Sequence, residues 1–236
     1  MYIEFLGFGN SHAKELGESS AMILDEDKSP LLLIDIGSQT YDILKEKNIN
    51  IKSIFITHLH FDHIGGLEKL FYEKIFSKKE KIKIFCNHNL VSGLCKKMFY
   101  NGQIAENGVN FFDCFQLIPV DESFWLSNFE FKVFENRHHA PKSSYGISLP
   151  GRFFYSGDTR PIPEIMGVYA NSGEIIFHDC CQYSNPSHSA LEDILREYDE
   201  RYVQRMFFYH LNNKEFKNDL EKKGFNTVSL DKRYKL

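Results

Sequence analysis

Apolar and polar positions along the chain fall into short alternating runs and longer helical stripes. Residues 2–8 alternate as a strand and run into the turn Gly7-Phe8-Gly9-Asn10. Residues 20–25 and 31–36 read as two strands joined by a polar turn, Asp25 to Pro30. A short helix is expected over 40–47, with Ile43 and Leu44 facing inward. The apolar run 53–56 is too short for a helix and reads as a buried strand. Leu67, Leu70, Phe71 and Ile75 form a helical stripe over 66–76. Residues 81–85 alternate as a strand, and 87–100 read as a helix ended by Asn101-Gly102. The aromatic-rich stretch 111–133 predicts two or three antiparallel strands. Further strands are expected at 129–134, from Tyr145 onward, at 151–155, 174–180, 205–209 and 227–230. Helices are expected over 190–198 and early in the tail 214–236. Residues 102–115 have weak periodicity; core packing is the first reading, a dimer contact or a lid the alternative.

The polar groups concentrate where these strands end. After the strand 53–56 comes Thr57-His58-Leu59-His60-Phe61-Asp62-His63-Ile64-Gly65-Gly66. His58 and His60 are two apart, so extended backbone points them the same way. A turn after Phe61 would aim Asp62 and His63 at a neighbouring point. Neutral imidazole and carboxylate suit a borderline divalent ion, and four such groups in six positions suit two ions side by side. Gly65-Gly66 would let the backbone pass close by and enter a helix. The plain alternative is a polar loop with three surface histidines.

Composition narrows the class. A chain of 236 residues can bury one large core, so a single domain over 1–236 is expected. Net charge is 28 − 32 = −4, which argues against a polyanion binder relying on overall charge; no DNA partner is expected. No apolar run is long enough to span a bilayer, so no membrane partner is expected either. The start carries Glu4 and no basic segment, unlike a signal peptide. Cys86, Cys95, Cys114, Cys180 and Cys181 form no disulfide-like or C-x-x-C pattern, so a reducing cytoplasm is the expected location.

The stretch 58–63 resembles the His-x-His-x-Asp-His signature of the metallo-β-lactamase-fold hydrolases. Other segments narrow the resemblance to the ribonuclease Z-like phosphodiesterase branch, over residue 1 to about 230. Asp35 before Gly37 resembles the family's first motif, where the aspartate steadies the metal loop; an ordinary turn aspartate is the alternative. The branch places a metal histidine several residues before an aromatic-glycine strand, here Tyr145-Gly146-Ile147. Counting back fits His139 slightly better than His138, and the choice stays open. Gly157-Asp158 matches the bridging aspartate, and His210 the final metal histidine. The branch's His-Glu-Ala stretch is His178-Asp179-Cys180 here, a departure, and His188-Ser189-Ala190 matches His-Ser-Thr.

The resemblance implies an α/β fold, the αββα sandwich of two face-to-face sheets with helices outside, and the order of elements agrees. It implies two divalent ions per protomer, zinc first and manganese as the alternative. His58, His60 and one of His138/His139 would hold one ion. Asp62, His63 and His210 would hold the other, with Asp158 bridging. A shared water between two such ions would become the nucleophile near neutral pH. Asp62, His188 and Asp179 are the catalytic candidates. His188, oriented by Asp179, would protonate the leaving group; helix capping is its plainer role. His178 is expected in the surroundings or the core. His12 and His88 are expected on the surface, and Gly7-x-Gly9 as a turn near the site's rim rather than a phosphate loop.

Two substrate classes fit that branch: precursor tRNA, or small cyclic nucleotides as degraded by phage and bacterial enzymes of the anti-Pycsar type. Bacterial ribonuclease Z grips tRNA with an arm inserted between its third-motif histidine and bridging aspartate. Here residues 140–157 are used up by two strands and a turn. The expected substrate is therefore a small nucleotide, a 3′,5′-cyclic mononucleotide opened to the monophosphate, and not tRNA. Tyr145, Tyr183, His12 and Phe61 could stack on or bond a base, with packing the plainer role. Relatives of this kind often dimerise, so a homodimer is an open expectation. A glyoxalase-type thioesterase or lactonase is the competing enzyme class, and a non-catalytic binding module the third reading.

Overall fold

A computed structural model describes residues 1–75, 80–99 and 108–236. The first part of the chain gives β1 (Tyr2–Gly7), β2 (Ser20–Leu24), β3 (Pro30–Ile34), α1 (Ser38–Glu46) and β4 (Ser53–Ile56). Then come α2 (Phe61–Ile64), α3 (Gly66–Lys74), β5 (Ile82–Asn87), α4 (His88–Phe99), α5 (Phe111–Cys114) and β6 (Phe115–Val120). The next stretch gives β7 (Ser123–Leu126), β8 (Phe129–Glu135), β9 (Tyr145–Leu149), β10 (Phe153–Tyr155) and α6 (Pro163–Tyr169). The last gives β11 (Ile175–Asp179), α7 (Leu191–Glu197), α8 (Glu200–Val203), β12 (Met206–Tyr209), α9 (Lys214–Lys222), β13 (Asn226–Thr227) and β14 (Arg233–Lys235).

Two seven-stranded sheets result, ordered β14-β1-β2-β3-β4-β5-β6 and β13-β12-β11-β10-β9-β8-β7. β2, β4, β9 and β10 are buried at every position. Strands covered on both faces need no alternation, which is why 53–56 reads as a continuous apolar run. Aromatic rings fill the space between the sheets. Phe5 of β1 meets Phe177 of β11 at 5.2 Å between ring centroids, and Phe85 of β5 meets Phe124 of β7 at 4.3 Å. Each fully buried ring contributes about 1.5–3 kcal/mol.

The topology decides where chemistry can sit. β3, β4, β5 and β6 run parallel, and so do β10, β11, β12 and β13. Their carboxyl ends lie along one edge, where open α/β sheets leave room for ligands. Asp35 follows β3, His58 follows β4, Asp158 follows β10, Asp179 ends β11 and His210 follows β12.

Three expectations need correction. The stretch 111–133 is not purely antiparallel: β6 pairs parallel with β5 in the first sheet, and only β7 and β8 form the antiparallel pair. Alternation marks a strand but carries no information on its partner. Residues 111–114 form a helical turn, capped by Asn110 Oδ1, which accepts from Phe112 N at 2.9 Å. In the tail, the strand expected at 227–230 is the short β13, and β14 pairs antiparallel with β1. Asn101-Gly102 and the first part of 102–115, up to residue 107, lie outside the described residues. Among the described residues no helix is long and apolar enough to cross a membrane.

Candidate metal centre

The centre is built where β4 stops. His58 stays in extended backbone, bridged to Ser144, and Thr57 O accepts from Tyr145 N at 3.0 Å. That contact ties the first sheet to the second. His60 caps α2, whose single turn presents Asp62 and His63. Gly66 lets the following helix press on the β3 loop: a Cβ there would lie 2.4 Å from Gly37 O. Gly157 has φ +66, and a Cβ would lie 2.7 Å from Asn136 Nδ2, so only glycine turns the chain sharply enough to present Asp158.

These segments bring the rings together. His58 Nε2 lies 3.0 Å from His60 Nδ1, and His138 Nε2 lies 3.3 Å from the same atom. Asp158 Oδ2 lies 3.1 Å from His210 Nε2, 3.3 Å from His63 Nε2 and 3.8 Å from His58 Nε2. Asp62 Oδ2 is 3.4 Å from His63 Nε2. Ligand atoms about 2.0–2.1 Å from a tetrahedral zinc stand roughly 3.3–3.4 Å from one another, so these spacings are those of ligand edges. Five overlapping groups of three such residues occur among the described residues, and His58/His60/His138 and Asp62/His63/His210 are two of them.

An oxygen faces the far side of four of the rings, those of His58, His63, His138 and His210. Asp35 Oδ2 accepts from Thr57 Oγ1 at 2.6 Å and from His63 Nδ1 at 2.7 Å. Having given its proton to Asp35, Thr57 Oγ1 accepts from His58 Nδ1 at 3.0 Å. His138 Nδ1 donates to Ser187 O at 2.9 Å. His210 Nδ1 lies 3.4 Å from Asp179 Oδ1. The Nε2 atoms of His58 and His138 are therefore lone pairs, both facing His60 Nδ1, which has at most one proton to share. A cation completes that arrangement, and oxygen-oriented imidazole is the usual support of a metal ligand. His63 Nε2 and Asp158 Oδ1 are buried without a hydrogen-bond partner, as ligand atoms would be. The residues present thus fit divalent ions.

Electrostatics agree. Burial, reinforced by neighbouring imidazoles, keeps His58 well below the ordinary histidine pKa. Burial likewise takes His138 down to about 4 and lowers His60. All three are neutral near pH 7, the state that ligates metal. Burial opposes charge on His63 and His210 too, but Asp158 with Asp35 or Asp179 outweighs it, raising His63 well above its usual value and His210 to about 10. The carboxylates draw positive charge inward, as protons or as a cation that displaces them.

His138, not His139, points its ring into the first group. His139 is exposed, with φ +55 and Nδ1 3.1 Å from Ser187 Oγ. A left-handed residue turns the chain away, and a residue count along an irregular loop does not register such a turn. His188 Nδ1 lies 2.8 Å from Asp179 Oδ2, which also accepts from Thr159 N at 2.9 Å. Burial opposes protonation of His188, yet the Asp179 carboxylate raises its pKa. His178 is buried, its Nε2 2.7 Å from Tyr198 Oη. His12 and His88 are exposed and join neither group. Gly9 bridges to Leu211, which follows His210, so the Gly7-x-Gly9 turn lies at the site's rim. An open cavity of about 410 Å³ adjoins the rings, lined also by Asn89, Lys97 and Lys142. Phe61 and Tyr183 are 76% and 73% exposed, whereas Tyr145 is buried and its Oη accepts from Asn89 Nδ2 at 3.0 Å, which removes it as a stacking platform. Sequence reasoning missed Thr57 and Ser187 as orienting groups, since a hydroxyl or a main-chain carbonyl leaves no residue-type signal.

Facing sheets with this His/Asp cluster at their shared edge are the architecture of the metallo-β-lactamase fold. The chain superposes on the metallo-β-lactamase fold protein YhfI from Bacillus subtilis with TM-score 0.76 at 14% identity, covering 99% of each chain. It superposes on a diphosphatase from the PhnP family with TM-score 0.78 at 17% identity, covering 100% of this chain and 97% of that one. Within this fold the chain belongs to the Anti-Pycsar protein Apyc1 family, whose model matches residues 1–234. It is 30% identical over 205 residues to the Anti-Pycsar protein Apyc1 of Paenibacillus harenae, covering 83% of each chain.

Asp35 is the buried strut of the centre. Asp35→Ala should destabilise the fold by about 3–5 kcal/mol, because the Thr57 N–H and hydroxyl and the His63 ring lose their acceptor. Thermal unfolding at fixed metal concentration should fall by about 2–4 °C per kcal/mol. An unchanged midpoint would show that Asp35 supports nothing.

Proposed function

We propose that the chain is a metal-dependent phosphodiesterase that opens a 3′,5′-cyclic mononucleotide to its monophosphate. The observation that carries this reading is the placement of Asp158 Oδ2 against His63, His210 and His58 at once. One carboxylate shared by two nests suits a pair of ions. His58, His60 and His138 would hold one, Asp62, His63 and His210 the other, and Asp158 both. Zinc is the proposed ion, since imidazole-rich sets suit it. When bound, such ions supply Lewis acidity toward phosphoryl oxygens and lower the pKa of water.

The chain's own residues supply the rest. Asp179 holds His188 Nδ1 and so directs the other ring nitrogen toward His138 and Asp158. A proton on that nitrogen can pass to the ribose oxygen as the P–O ester bond breaks and water oxygen joins phosphorus. Lys97 and Lys142 line the cavity beside the rings and suit a phosphate-bearing ligand. Substrate size follows from the loops. A short loop over 140–144, β9, a turn and β10 take up the chain between His139 and Asp158, which argues against an arm for tRNA. A net charge of −4 also disfavours a long polyanion. The Anti-Pycsar name of the relatives supports a cyclic-nucleotide substrate.

Incubation with a panel of cyclic mononucleotides, a 3′-extended tRNA and a thioester, read by chromatography and gel, tests the reading. Cyclic nucleotides alone should turn over; efficient tRNA or thioester cleavage beside inert cyclic nucleotides would refute it. Asp158→Ala should lose activity and at least one ion by elemental analysis; full metal and full activity would sink the assignment. His188→Ala should keep its metal yet lose about 10²–10⁴-fold in turnover. That loss should shrink on bis-p-nitrophenyl phosphate, whose leaving group needs little protonation; equal losses would make His188 structural.

A further inference from the structure

His138 and His188 owe their aim to one loop, residues 181–189. Its base is closed by Cys181 N donating to Ser189 O at 2.8 Å. Gln182 N donates to Asn212 Oδ1 at 2.7 Å, and Ser189 Oγ to Thr159 O at 2.8 Å. Inside that frame, Asn185 organises the turn. Its Oδ1 accepts from Ser187 N at 2.9 Å and from His188 N at 3.1 Å. Its Nδ2 donates to Tyr183 O at 3.2 Å, and its main-chain oxygen accepts from Arg160 Nη1 at 2.8 Å. Pro186 fixes the next φ near −65°, so the asparagine-proline pair is a rigid turn initiator. The two N–H groups that Asn185 gathers belong to the residues that matter. Ser187 O receives His138 Nδ1, and the His188 ring meets Asp179.

We propose that Asn185 is a positioning residue whose side-chain carbonyl sets the proton-donating His188 and the His138 ring together. This rests on the reading of His188 given under Proposed function. Asn185 does not bind substrate in this scheme, because both ends of its amide are already engaged within the loop. Without the acceptor, the N–H of buried Ser187 loses its partner and the turn relaxes. A ring displaced by about 1 Å is enough to cost a hundredfold in rate.

The test compares Asn185→Ala, Asn185→Asp, His188→Ala and the double variant Asn185→Ala/His188→Ala in the metal-loaded full chain. Turnover of a cyclic mononucleotide and of bis-p-nitrophenyl phosphate is measured, with bound metal and thermal midpoint. Asn185→Ala should lose about 10–100-fold on the cyclic nucleotide, the usual range for a group that orients a ligand or a catalytic side chain, and less on the aryl ester. It should also bind metal more weakly, through His138. Asn185→Asp should restore both, because a carboxylate accepts the same two N–H groups. In the His188→Ala background, Asn185→Ala should add little to the loss on the cyclic nucleotide. Undiminished turnover in Asn185→Ala would overturn the proposal. So would an equal loss on both substrates that aspartate does not recover, which marks a scaffold role. If Asn185→Ala does not fold, Asn185→Ser, with a shorter acceptor, carries the same comparison. Equal losses on both substrates in His188→Ala itself would sink the proton-donor reading. The metal-affinity loss in Asn185→Ala and its recovery by aspartate would then decide the Asn185–His138 link alone.

Discussion

Everything in this molecule turns on a buried carboxylate, Asp158, held among imidazole rings from both sheets. Removing a carboxylate from water costs several kcal/mol unless opposite charge and hydrogen bonds replace it. Here His63 and His210 face it directly, and they hold its pKa well below the usual carboxylate range against the effect of burial. The same attraction that stabilises the aspartate suits the centre to cations. Fold stability and site chemistry are therefore one problem, solved by the same atoms.

The two-sheet architecture is what lets that problem be solved. One sheet brings His58, His60, Asp62 and His63; the other brings His138, Asp158, Asp179 and His210. Neither sheet holds a complete set. Aromatic packing between them fixes the separation on which each distance depends, and Tyr145 N on Thr57 O locks the edge. Some of the chain's left-handed residues lie at the same edge: Asp35, His139 and His210 have positive φ, near +59, +55 and +61. A non-glycine residue in that region costs roughly 1–2 kcal/mol; at Asp35 and His210 it aims a side chain into the centre, and at His139 it turns the chain away from it.

Around the rings lies a layer of oxygens that decides tautomers. Thr57, Asp35, Ser187 and Asp179 each face the nitrogen that the centre does not use. All four stand at the ends of elements or between them rather than within them. Their placement depends on where strands stop, so the turns after β3, β4 and β11 carry as much of the function as the ligand-type residues do.

The sequence by itself marked the run His58, His60, Asp62 and His63 after a buried strand, from local signals: an apolar run and a spacing of two in extended backbone. The candidates Asp158 and His210 and the αββα class came from its resemblance to the metallo-β-lactamase-fold hydrolases. It also determined that 140–157 holds only a short strand pair, which bears on substrate size. It left open His138 against His139, the parallel partner of β6, the closure of β14 on β1, and the orienting oxygens of Thr57 and Ser187. Only tertiary structure decided these. A left-handed turn at His139, a strand's neighbour and a carbonyl's direction are set by contacts between residues far apart in the chain, and periodicity along the chain does not encode them.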